Sequence, residues 1–302
     1  MSSKSSNESN SDLPKSPFWE EPDALALREG FWLPTCLLDS AASFRQNFQA
    51  REGDVVLASP IKTGTTWLMA IAHSLLHKPK SNDANNADAL ASNNPHSLVP
   101  TVEFELWSPT TTVNIFDPTS PRLLHTHLPF SLLPASLSAS KIVYIARGPE
   151  DTLISMWHYF NAVAAPVPLE KAVECFCSGA HPFGPFDRHV AEYWLETRRR
   201  PEKVLFVKYE DMKREPGREV SRIAEFLGRP VAAEGEVEEI LWRCSLERLK
   251  NLEVNAAGHA AYFRKGEVRD GKNYLTPEMG DRIHRSVGVK LEALGLFFSD
   301  RR

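Results

Sequence analysis

The segment Lys62–Trp67, which reads Lys-Thr-Gly-Thr-Thr-Trp, combines a cation, three hydroxyl side chains and a glycine within a few residues. The apolar run Val55–Ala58 precedes it, and from Leu68 onward apolar residues recur with the spacing of a helix. Main-chain N–H groups at the start of a helix point toward an anion, and the helix dipole favours negative charge. This strand–loop–helix pattern therefore predicts a phosphate-binding turn, in which Gly64 lets the main chain approach the anion and Lys62 adds a positive charge.

The loop differs from the phosphate-binding motif of P-loop ATPases. That motif is Gly, four residues, then Gly-Lys-Ser/Thr, whereas here Lys62 precedes Gly64 and no earlier glycine opens the loop. A simpler interpretation is a strand-to-helix turn that is capped by threonine, with Lys62 in solvent. The loop by itself does not decide between these interpretations.

Two other segments place a chemically useful side chain just after a predicted strand. Arg122–Thr126 suits a short strand, so His127 would lie at its carboxyl end, where open α/β sheets bind ligands. His127 could act there as a general base, since imidazole titrates near neutral pH, or it could be a structural histidine. Lys141–Ala146 is the clearest strand, and Arg147 after it could hold a phosphate or form an ion pair with Asp151.

The elements that must position these residues follow a repeating pattern. Lys203–Lys208 is a further strand, and the helix after it begins near Pro216 and ends at Gly228. Helices also follow Val55–Ala58 and Lys141–Ala146, and strands that are each followed by a helix predict βαβ units. The predicted fold class is therefore α/β, a single domain with a central parallel sheet flanked by helices.

Three segments outside the predicted sheet have a distinctive composition. Phe18–Phe48 is aromatic-rich and irregular, and it could cover a core edge or line an apolar pocket. The polar stretch Lys80–Asn94 is predicted to be an insertion that forms a mobile surface loop. Phe263–Lys272 combines basic residues with two glycines, and it could be a charged surface loop or a flexible flap over an anionic ligand.

Composition restricts the class of partner and the compartment. The net charge of −4 on 302 residues argues against a general binder of nucleic acid or of anionic membranes. Four scattered cysteines lack the spacing of a metal site and suit a reducing compartment. Residues 1–17 carry no apolar signal segment, and no run of about 18 apolar residues could span a bilayer. We expect a cytoplasmic protein with a disordered tail over residues 1–17 and a single domain over residues 18–302.

Taken together, these segments resemble the cytosolic sulfotransferases, from roughly Phe31 to the C-terminus, with five motifs in the family's order. Asn251–Asn255 looks like the plant branch of that family, which implies plant secondary metabolism. The resemblance implies transfer of a sulfuryl group from 3′-phosphoadenosine 5′-phosphosulfate (PAPS) to a hydroxyl of a small acceptor, with no metal. Aromatic residues predicted around the cleft favour a flat acceptor such as a flavonoid or a steroid; they are Phe31, Trp32, Tyr159, Phe183 and Phe186.

The resemblance implies a role for each motif residue. A P-loop-like turn would cradle the 5′-phosphosulfate through Lys62, Thr63, Gly64, Thr65, Thr66 and Trp67. Lys62 would stabilise the leaving phosphate, and His127 would take the proton from the acceptor hydroxyl. The 3′-phosphate would contact Arg147, Ser155, Arg264, Lys265 and Gly266. The adenine side would contact Tyr209 and the segment around Ser245.

Near the C-terminus the chain departs from the family's pattern at several positions. The family's Gly-x-x-Gly-x-x-Lys flap has Arg269 at its second glycine here, and Gly271 takes a usual tryptophan position. These changes bear on cofactor affinity and flap closure. The animal-type dimer signature is partly present, with Thr276 matching and Pro277 in place of valine. We therefore expect a monomer or a weak homodimer.

Two alternative functions stay open at this point. A P-loop nucleotide kinase is disfavoured because the Walker A pattern is missing and His127 stands where a Walker B aspartate would be expected. An inactive relative that only binds PAPS or its desulfated product PAP would have no need of both Lys62 and His127.

Overall fold

The computed structural model describes residues 10, 12–77, 88–106, 122–231, 233–256 and 260–298. The strands in these ranges form a three-stranded antiparallel sheet, β1-β2-β3, and a four-stranded parallel sheet in the order β5-β4-β6-β7. Their bounds are β1 Lys15–Phe18, β2 Glu21–Arg28, β3 Phe31–Pro34, β4 Val55–Ala58, β5 Leu123–Thr126, β6 Lys141–Ala146 and β7 Val204–Lys208.

The α-helices of the described residues lie between and after the strands. The longer ones are α1 Leu38–Asn47, α2 Thr65–Leu76, α5 Pro149–Val163, α6 Leu169–Ser178, α7 Phe186–Arg199, α9 Pro216–Leu227 and α10 Glu236–Arg243. The shorter ones are α3 Ala89–Ser92, α4 Pro95–Leu98, α8 Tyr209–Arg214, α11 Leu246–Lys250, α12 Glu253–Ala256, α13 Pro277–Ile283 and α14 Val289–Ala293. In the part of the chain that is described, no helix combines the length and apolarity needed to cross a membrane.

The parallel sheet is buried on both faces. Along β6, Ile142 and Tyr144 pack into one hydrophobic core, while Val143 and Ile145 pack into the other. Helix α7 contributes Val190 to the first core, and α2 contributes Leu68, Ile71 and Leu75 to the second. The run of apolar residues in the sequence reflects this double burial, which is typical of a parallel sheet.

The register of the parallel sheet brings the carboxyl ends of its strands to one edge. Ala58 at the end of β4 lies opposite Thr126 of β5 and Tyr144 of β6, and Ala146 lies opposite Lys208 of β7. The residues that directly follow the four strands are Ser59, His127, Arg147 and Tyr209. Sheet register alone therefore gathers the predicted base and the predicted phosphate ligand.

The predicted α/β fold with a central parallel sheet is confirmed. The strands Val55–Ala58 and Lys141–Ala146 have the predicted bounds, and β5 and β7 each begin one residue later than predicted. Gly228 follows α9 with a φ of 73°, as expected for the glycine that ends a helix.

The interpretation of Phe18–Phe48 as irregular is wrong. This stretch contains most of the antiparallel sheet and α1, and its aromatic residues Phe31 and Phe44 are fully buried. β3 also joins the rest of the molecule, because the Trp32 N–H donates to the Gly184 carbonyl at 2.7 Å. The aromatic residues do not alternate with polar ones, so the period-two pattern that reveals a strand is missing.

Two predicted loop boundaries also need correction. Residues 80–87 of the predicted insertion and most of the predicted tail, residues 1–9 and 11, lie outside the described residues. Within the described part, 88–94 is not a mobile loop: it contains α3, and buried Asn94 donates to Asn255 at 2.7 Å. Residues 15–17 are not a tail but belong to β1, because their main chain pairs with β2.

The segment Phe263–Lys272, called the flap below, is anchored on the first turn of α5. The Asp151 carboxylate accepts the main-chain N–H groups of Arg269 at 2.7 Å and of Gly271 at 2.8 Å. Arg269 has a φ of 66°, a left-handed conformation that glycine adopts without steric cost. The arginine at this position therefore strains the flap, and the bonds to Asp151 hold it there.

We predict that Arg269→Gly stabilises the protein by about 1 kcal/mol, because relief of the left-handed strain exceeds the entropy cost of glycine. Urea unfolding would measure the change. The control is Glu267→Gly, an exposed position of the same flap without a positive φ, which we expect to destabilise by about 0.5–1 kcal/mol. Equal losses in the two variants would show that Arg269 is not strained.

Candidate active site

A cavity of about 830 Å³ opens at the carboxyl edge of the parallel sheet. From the predicted phosphate loop it is lined by Lys62, Gly64, Thr65, Thr66 and Trp67. The other predicted site residues that line it are His127, Arg147, Ser155, Tyr209, Arg264 and Gly266. The structure thus brings together residues that are spread over some 200 positions of the sequence.

Three predicted site residues do not line this cavity. Thr63 is buried, and its hydroxyl donates to the carbonyls of Pro60 at 2.8 Å and Ile145 at 3.1 Å. Ser245 caps α11 by accepting the Arg248 N–H at 3.2 Å. The Lys265 side chain is exposed and pairs with Asp270. A hydroxyl contact from Thr63 to the ligand therefore does not fit the structure, because that hydroxyl already closes the turn.

The turn before α2 depends on Gly64. Its φ is 109°, and a Cβ at this position would lie 2.7 Å from Cδ2 of Tyr209. No other residue fits there without displacing the Tyr209 ring, so the glycine lets the loop pack directly against the residue that follows β7. The first helical residues, Thr65 and Thr66, then line the cavity at the N-terminus of α2.

Lys62 lies against the faces of two tyrosine rings. Its ammonium is 4.0 Å from the ring centroid of Tyr159 and 5.3 Å from that of Tyr262. Burial, together with the positive charges of Arg264 and Arg147, lowers the pKa of Lys62 to about 7. A buried amine near two guanidinium groups is a site that gains from an anion.

Arg147 is buried, with 5% of its surface exposed. Its guanidinium lies over the Tyr209 ring at 4.7 Å, donates to the Glu267 carbonyl of the flap, and pairs with Asp151 at 3.3 Å. The ion pair between Arg147 and Asp151 that the sequence suggested is therefore present. It is buried, and it does not use every N–H donor of the Arg147 guanidinium. The Nε of Arg147 has no hydrogen-bond partner among the described residues.

Two other buried donors at the cavity share this property. The Nε of Arg264 and the indole Nε1 of Trp67 also lack a hydrogen-bond partner within the described ranges. A buried donor without a partner costs free energy, and an anion that accepts from it recovers that cost. Three such donors around one cavity fit a ligand that carries several anionic oxygens.

Asp270 organises the charges of the flap. Its carboxylate is buried and lies 2.6 Å from the Arg264 guanidinium and 3.0 Å from the Lys265 ammonium. Burial opposes ionisation of Asp270, but hydrogen bonds from Asn273, Lys265 and Arg264 lower its pKa to about 2. The sequence analysis did not identify this residue, although its place between basic residues was visible.

The glycines of the flap are tightly packed. A Cβ at Gly266 would lie 2.6 Å from Cδ2 of Leu246, which itself lines the cavity. A Cβ at Gly271 would lie 3.1 Å from the Glu150 Cβ and 3.4 Å from the Leu275 Cδ1. The flap as it is folded therefore has no room for the tryptophan that the family usually carries at the position of Gly271.

The His127 imidazole is oriented by one hydrogen bond. Its Nδ1 lies 2.9 Å from the Ser59 carbonyl oxygen, and because a carbonyl only accepts, Nδ1 carries the proton. Nε2 is then left with its lone pair. Burial lowers the pKa of His127 to about 3, against the opposing effect of the Ser59 hydrogen bond, so the ring is neutral near pH 7. A neutral imidazole with a lone pair at Nε2 can accept a proton.

His125 has a structural role in the same strand. It is buried and lies within 3.0 Å of both the Ser59 hydroxyl and the Thr101 hydroxyl. Its ring centroid is 4.5 Å from that of His127, and the two rings pack edge to face. It does not line the cavity.

Aromatic side chains form much of the rest of the cavity lining. Of the predicted ones, Tyr159 and Phe183 line it, whereas Phe31 and Phe186 are buried in the core and Trp32 does not reach it. Phe18, from the aromatic-rich segment that was expected to cover a core edge or line an apolar pocket, also lines it. The aromatic residues that the sequence analysis missed are Phe104, Phe160 and Tyr262. No sequence signal marked Phe160, because it meets Phe18 only when β1 packs on α5.

Comparison with known proteins agrees with this geometry. Residues 52–295 match the profile of the sulfotransferase domain family. Cytosolic sulfotransferase 5 of Arabidopsis thaliana is 41% identical in an alignment of 289 positions that covers 89% of this chain and 89% of the relative. Cytosolic sulfotransferase 13 of the same organism is 40% identical and covers 87% of this chain and 84% of its own length.

Solved structures show the same fold. An Arabidopsis thaliana protein crystallised as a candidate steroid sulphotransferase aligns with a TM-score of 0.77 and 35% identity, over 96% of this chain and 94% of its own. Retinol dehydratase in complex with androsterone and the inactive cofactor PAP aligns with a TM-score of 0.75 and 21% identity, over 91% and 89%. The chain therefore belongs to the sulfotransferase domain family and is a transferase.

Proposed function

We propose that this protein moves a sulfuryl group from PAPS to a hydroxyl of a small, flat, apolar acceptor, with His127 as the general base and Lys62 as the group that stabilises the leaving phosphate. The observation that supports this most directly is the cavity itself. It holds an imidazole with a free lone pair at Nε2 and three cations, of which Arg147 is buried and Lys62 and Arg264 are partly buried.

The division of charge in the cavity fits the two ends of PAPS. Lys62 and the N-terminus of α2 suit the 5′-phosphosulfate, since helix N-terminal N–H groups and an ammonium both favour anions. Arg147, Ser155 and the flap residue Arg264 suit the 3′-phosphate, because guanidinium groups pair with phosphate through two parallel hydrogen bonds. This second group of cations would let the protein bind PAPS in preference to ATP, which has no 3′-phosphate.

In the proposed reaction His127 Nε2 takes the proton of the acceptor hydroxyl as the hydroxyl oxygen bonds to sulfur. The bond between sulfur and the bridging oxygen breaks, and Lys62 neutralises the charge that develops on that oxygen. Sulfuryl transfer resembles phosphoryl transfer in that most of the catalysis is positioning and electrostatic stabilisation. An anionic ligand beside Lys62 raises its pKa again, so the ammonium is charged when it is needed.

The relatives also support proposals on compartment and acceptor. Those with about 40% identity are named cytosolic sulfotransferases, and we infer the cytosol for this chain as well. The Arabidopsis structure is described as a candidate steroid sulphotransferase, and the aromatic lining of the cavity suits a steroid or a flavonoid. Transfer of labelled sulfate from PAPS to a panel of flavonols and steroids tests the proposal. Absence of labelling, with a thermal shift by ATP but none by PAPS, would favour the kinase alternative.

We predict that His127→Ala lowers turnover by about 10²–10⁴-fold, the usual contribution of a general base, while PAPS affinity changes little. The affinity for PAPS should be kept because the cations proposed to bind the nucleotide are other residues of the cavity. Steady-state rates and calorimetric titration with PAP measure the two quantities. A matching loss of PAP binding would show that His127 serves the nucleotide and not the acceptor.

We predict that Arg147→Ala weakens PAPS more than adenosine 5′-phosphosulfate, which lacks the 3′-phosphate, by about 1.5–3 kcal/mol for a charge-assisted contact. The control is Arg188→Ala. Arg188 also stacks on an aromatic ring, Phe31 at 4.4 Å, and pairs with an acid four residues later, but it does not line the cavity. Equal weakening of both nucleotides by Arg147→Ala would rule out a specific 3′-phosphate contact.

We predict that the enzyme prefers uncharged acceptors. Among the described residues Glu105 is the one carboxylate that lines the cavity, and it follows Phe104, whose ring packs edge-on against His127 at 6.2 Å. Burial raises the pKa of Glu105, and the hydrogen bond from the Thr101 N–H opposes that rise.

Repulsion of about 1–2 kcal/mol from the exposed Glu105 carboxylate would disfavour a carboxylate-bearing acceptor. A hydroxysteroid and its carboxylic acid analogue form a suitable pair. Glu105→Gln should shift the ratio of their kcat/KM values about tenfold toward the acid. An unchanged ratio would mean that Glu105 does not face the acceptor.

A further inference from the structure

The main chain of His127 is held from two sides by buried side chains that do not touch the cavity. On one side the Glu103 carboxylate accepts the His127 N–H at 2.6 Å. On the other side Nε2 of His189, in α7, lies 2.9 Å from the His127 carbonyl oxygen. Both Glu103 and His189 are fully buried, and neither lines the cavity. Together with the Ser59 carbonyl on Nδ1, these contacts fix every polar atom of His127 except Nε2.

The tautomer of His189 follows from its two partners. The His127 carbonyl only accepts, so Nε2 of His189 carries the proton and donates it. Nδ1 of His189 is then an acceptor, and it receives the Tyr144 hydroxyl of β6 at 2.9 Å. The Tyr144 hydroxyl therefore favours the His189 tautomer with the proton on Nε2, which is the tautomer that can donate to the His127 carbonyl.

Two side chains on one face of α7 donate hydrogen bonds to the carbonyls of two consecutive residues after β5. Tyr193 lies four positions after His189, and its hydroxyl donates to the Leu128 carbonyl at 2.9 Å. The rings of Tyr144 and Tyr193 stack with centroids 4.0 Å apart, which packs the two contacts into one unit. The carbonyls of residues 127 and 128 are thus bound to adjacent turns of a long helix, which is more rigid than a loop.

Glu103 completes the arrangement from the opposite side. Its second oxygen accepts the Thr126 hydroxyl at 2.9 Å, and that hydroxyl accepts the Leu128 N–H at 3.0 Å. Burial raises the pKa of Glu103 to about 7. A buried carboxyl group costs free energy unless it is fully hydrogen-bonded, whereas a neutral apolar side chain at the position of Glu103 would not carry this cost.

We propose that Glu103 and His189 are positioning residues, which hold the main chain of His127 so that Nε2 meets the acceptor hydroxyl at proton-transfer distance. The proposal rests on the proposed function of His127 as the base. Proton transfer requires about 2.6–3.2 Å between the heavy atoms, and a misplacement of about 1 Å can cost about 10²-fold in rate. A single histidine at a strand end has no such precision of its own.

The test uses paired variants in the full chain. His189→Ala should lower kcat about 100-fold, while PAP affinity measured by calorimetry and the KM for PAPS stay within threefold. His189→Gln keeps an N–H donor near the position of Nε2, and it should recover at least tenfold of the loss. Glu103→Ala and Glu103→Gln should behave in the same way, because glutamine retains an oxygen that accepts the His127 N–H.

A buried histidine that does not contact His127 provides the control. His181 is also buried and stacks on Phe176 at 5.1 Å, so His181→Ala should cost stability but leave the kcat of the folded enzyme within threefold. If His181→Ala lowers kcat as much as His189→Ala, the effect is general loosening and the proposal is overturned. If His189→Ala does not fold, Tyr144→Phe is tested instead. This variant removes only the hydroxyl oxygen that fixes the His189 tautomer, and it should lower kcat about fivefold. An unchanged kcat would overturn the proposal.

The outcomes separate this inference from the proposed function. Loss of turnover in His127→Ala with full turnover in His189→Ala and Glu103→Ala would leave the base in place and overturn the positioning role. Full turnover in His127→Ala would overturn the base, and the positioning role with it. Loss of kcat in all three alanine variants, with rescue by both glutamines and unchanged PAP affinity, supports both.

Discussion

Three cations share one cavity, and this crowding of like charge is the constraint on which the rest of the site depends. Arg147 and Arg264 help to lower the pKa of Lys62, so the free protein holds these groups at an electrostatic cost. Asp151 and Asp270 offset part of that cost: Asp151 pairs with Arg147 and accepts main-chain N–H groups of the flap, and Asp270 pairs with Arg264 and Lys265. In the proposed function an anionic ligand would complete the neutralisation, which would stabilise the flap as well as the bound state.

The parallel sheet explains why the chemistry is assembled at this place. β4 and β5 end level with each other, β6 and β7 end level two residues further on, and a residue that follows each of the four strands lines the same cavity. The antiparallel sheet and α5 add apolar lining, where Phe18 packs edge-on to Phe160 at 4.8 Å. The cations and the aromatic rings are in contact, because Lys62 lies over Tyr159 and Arg147 lies over Tyr209.

Local patterns in the sequence predict the parallel part of this structure well and the rest poorly. The bounds of β4 and β6 could be predicted because a strand buried on both faces is a continuous apolar run, and Arg147 and His127 could be found because they directly follow such runs. Glu103 and His189 could not be found, since they contact His127 only through tertiary packing. The place of the Thr63 hydroxyl could not be predicted, because a hydroxyl in a phosphate loop can face the ligand or close the turn, and composition does not show which.

The two departures of the flap from the family's pattern have different physical consequences. Arg269 strains the main chain, yet its N–H still reaches Asp151, so the anchor of the flap survives the loss of glycine. Gly271 stands where the family usually has a large side chain. Glu150 and Leu275 pack where that side chain would begin, so the missing side chain leaves no space that a ligand could use. The cavity-lining residues of the flap, Phe263, Arg264 and Gly266, lie at its other end. The departures therefore act on the part of the flap that is anchored on α5, and the charged side chain that the flap adds to the cavity, Arg264, is kept.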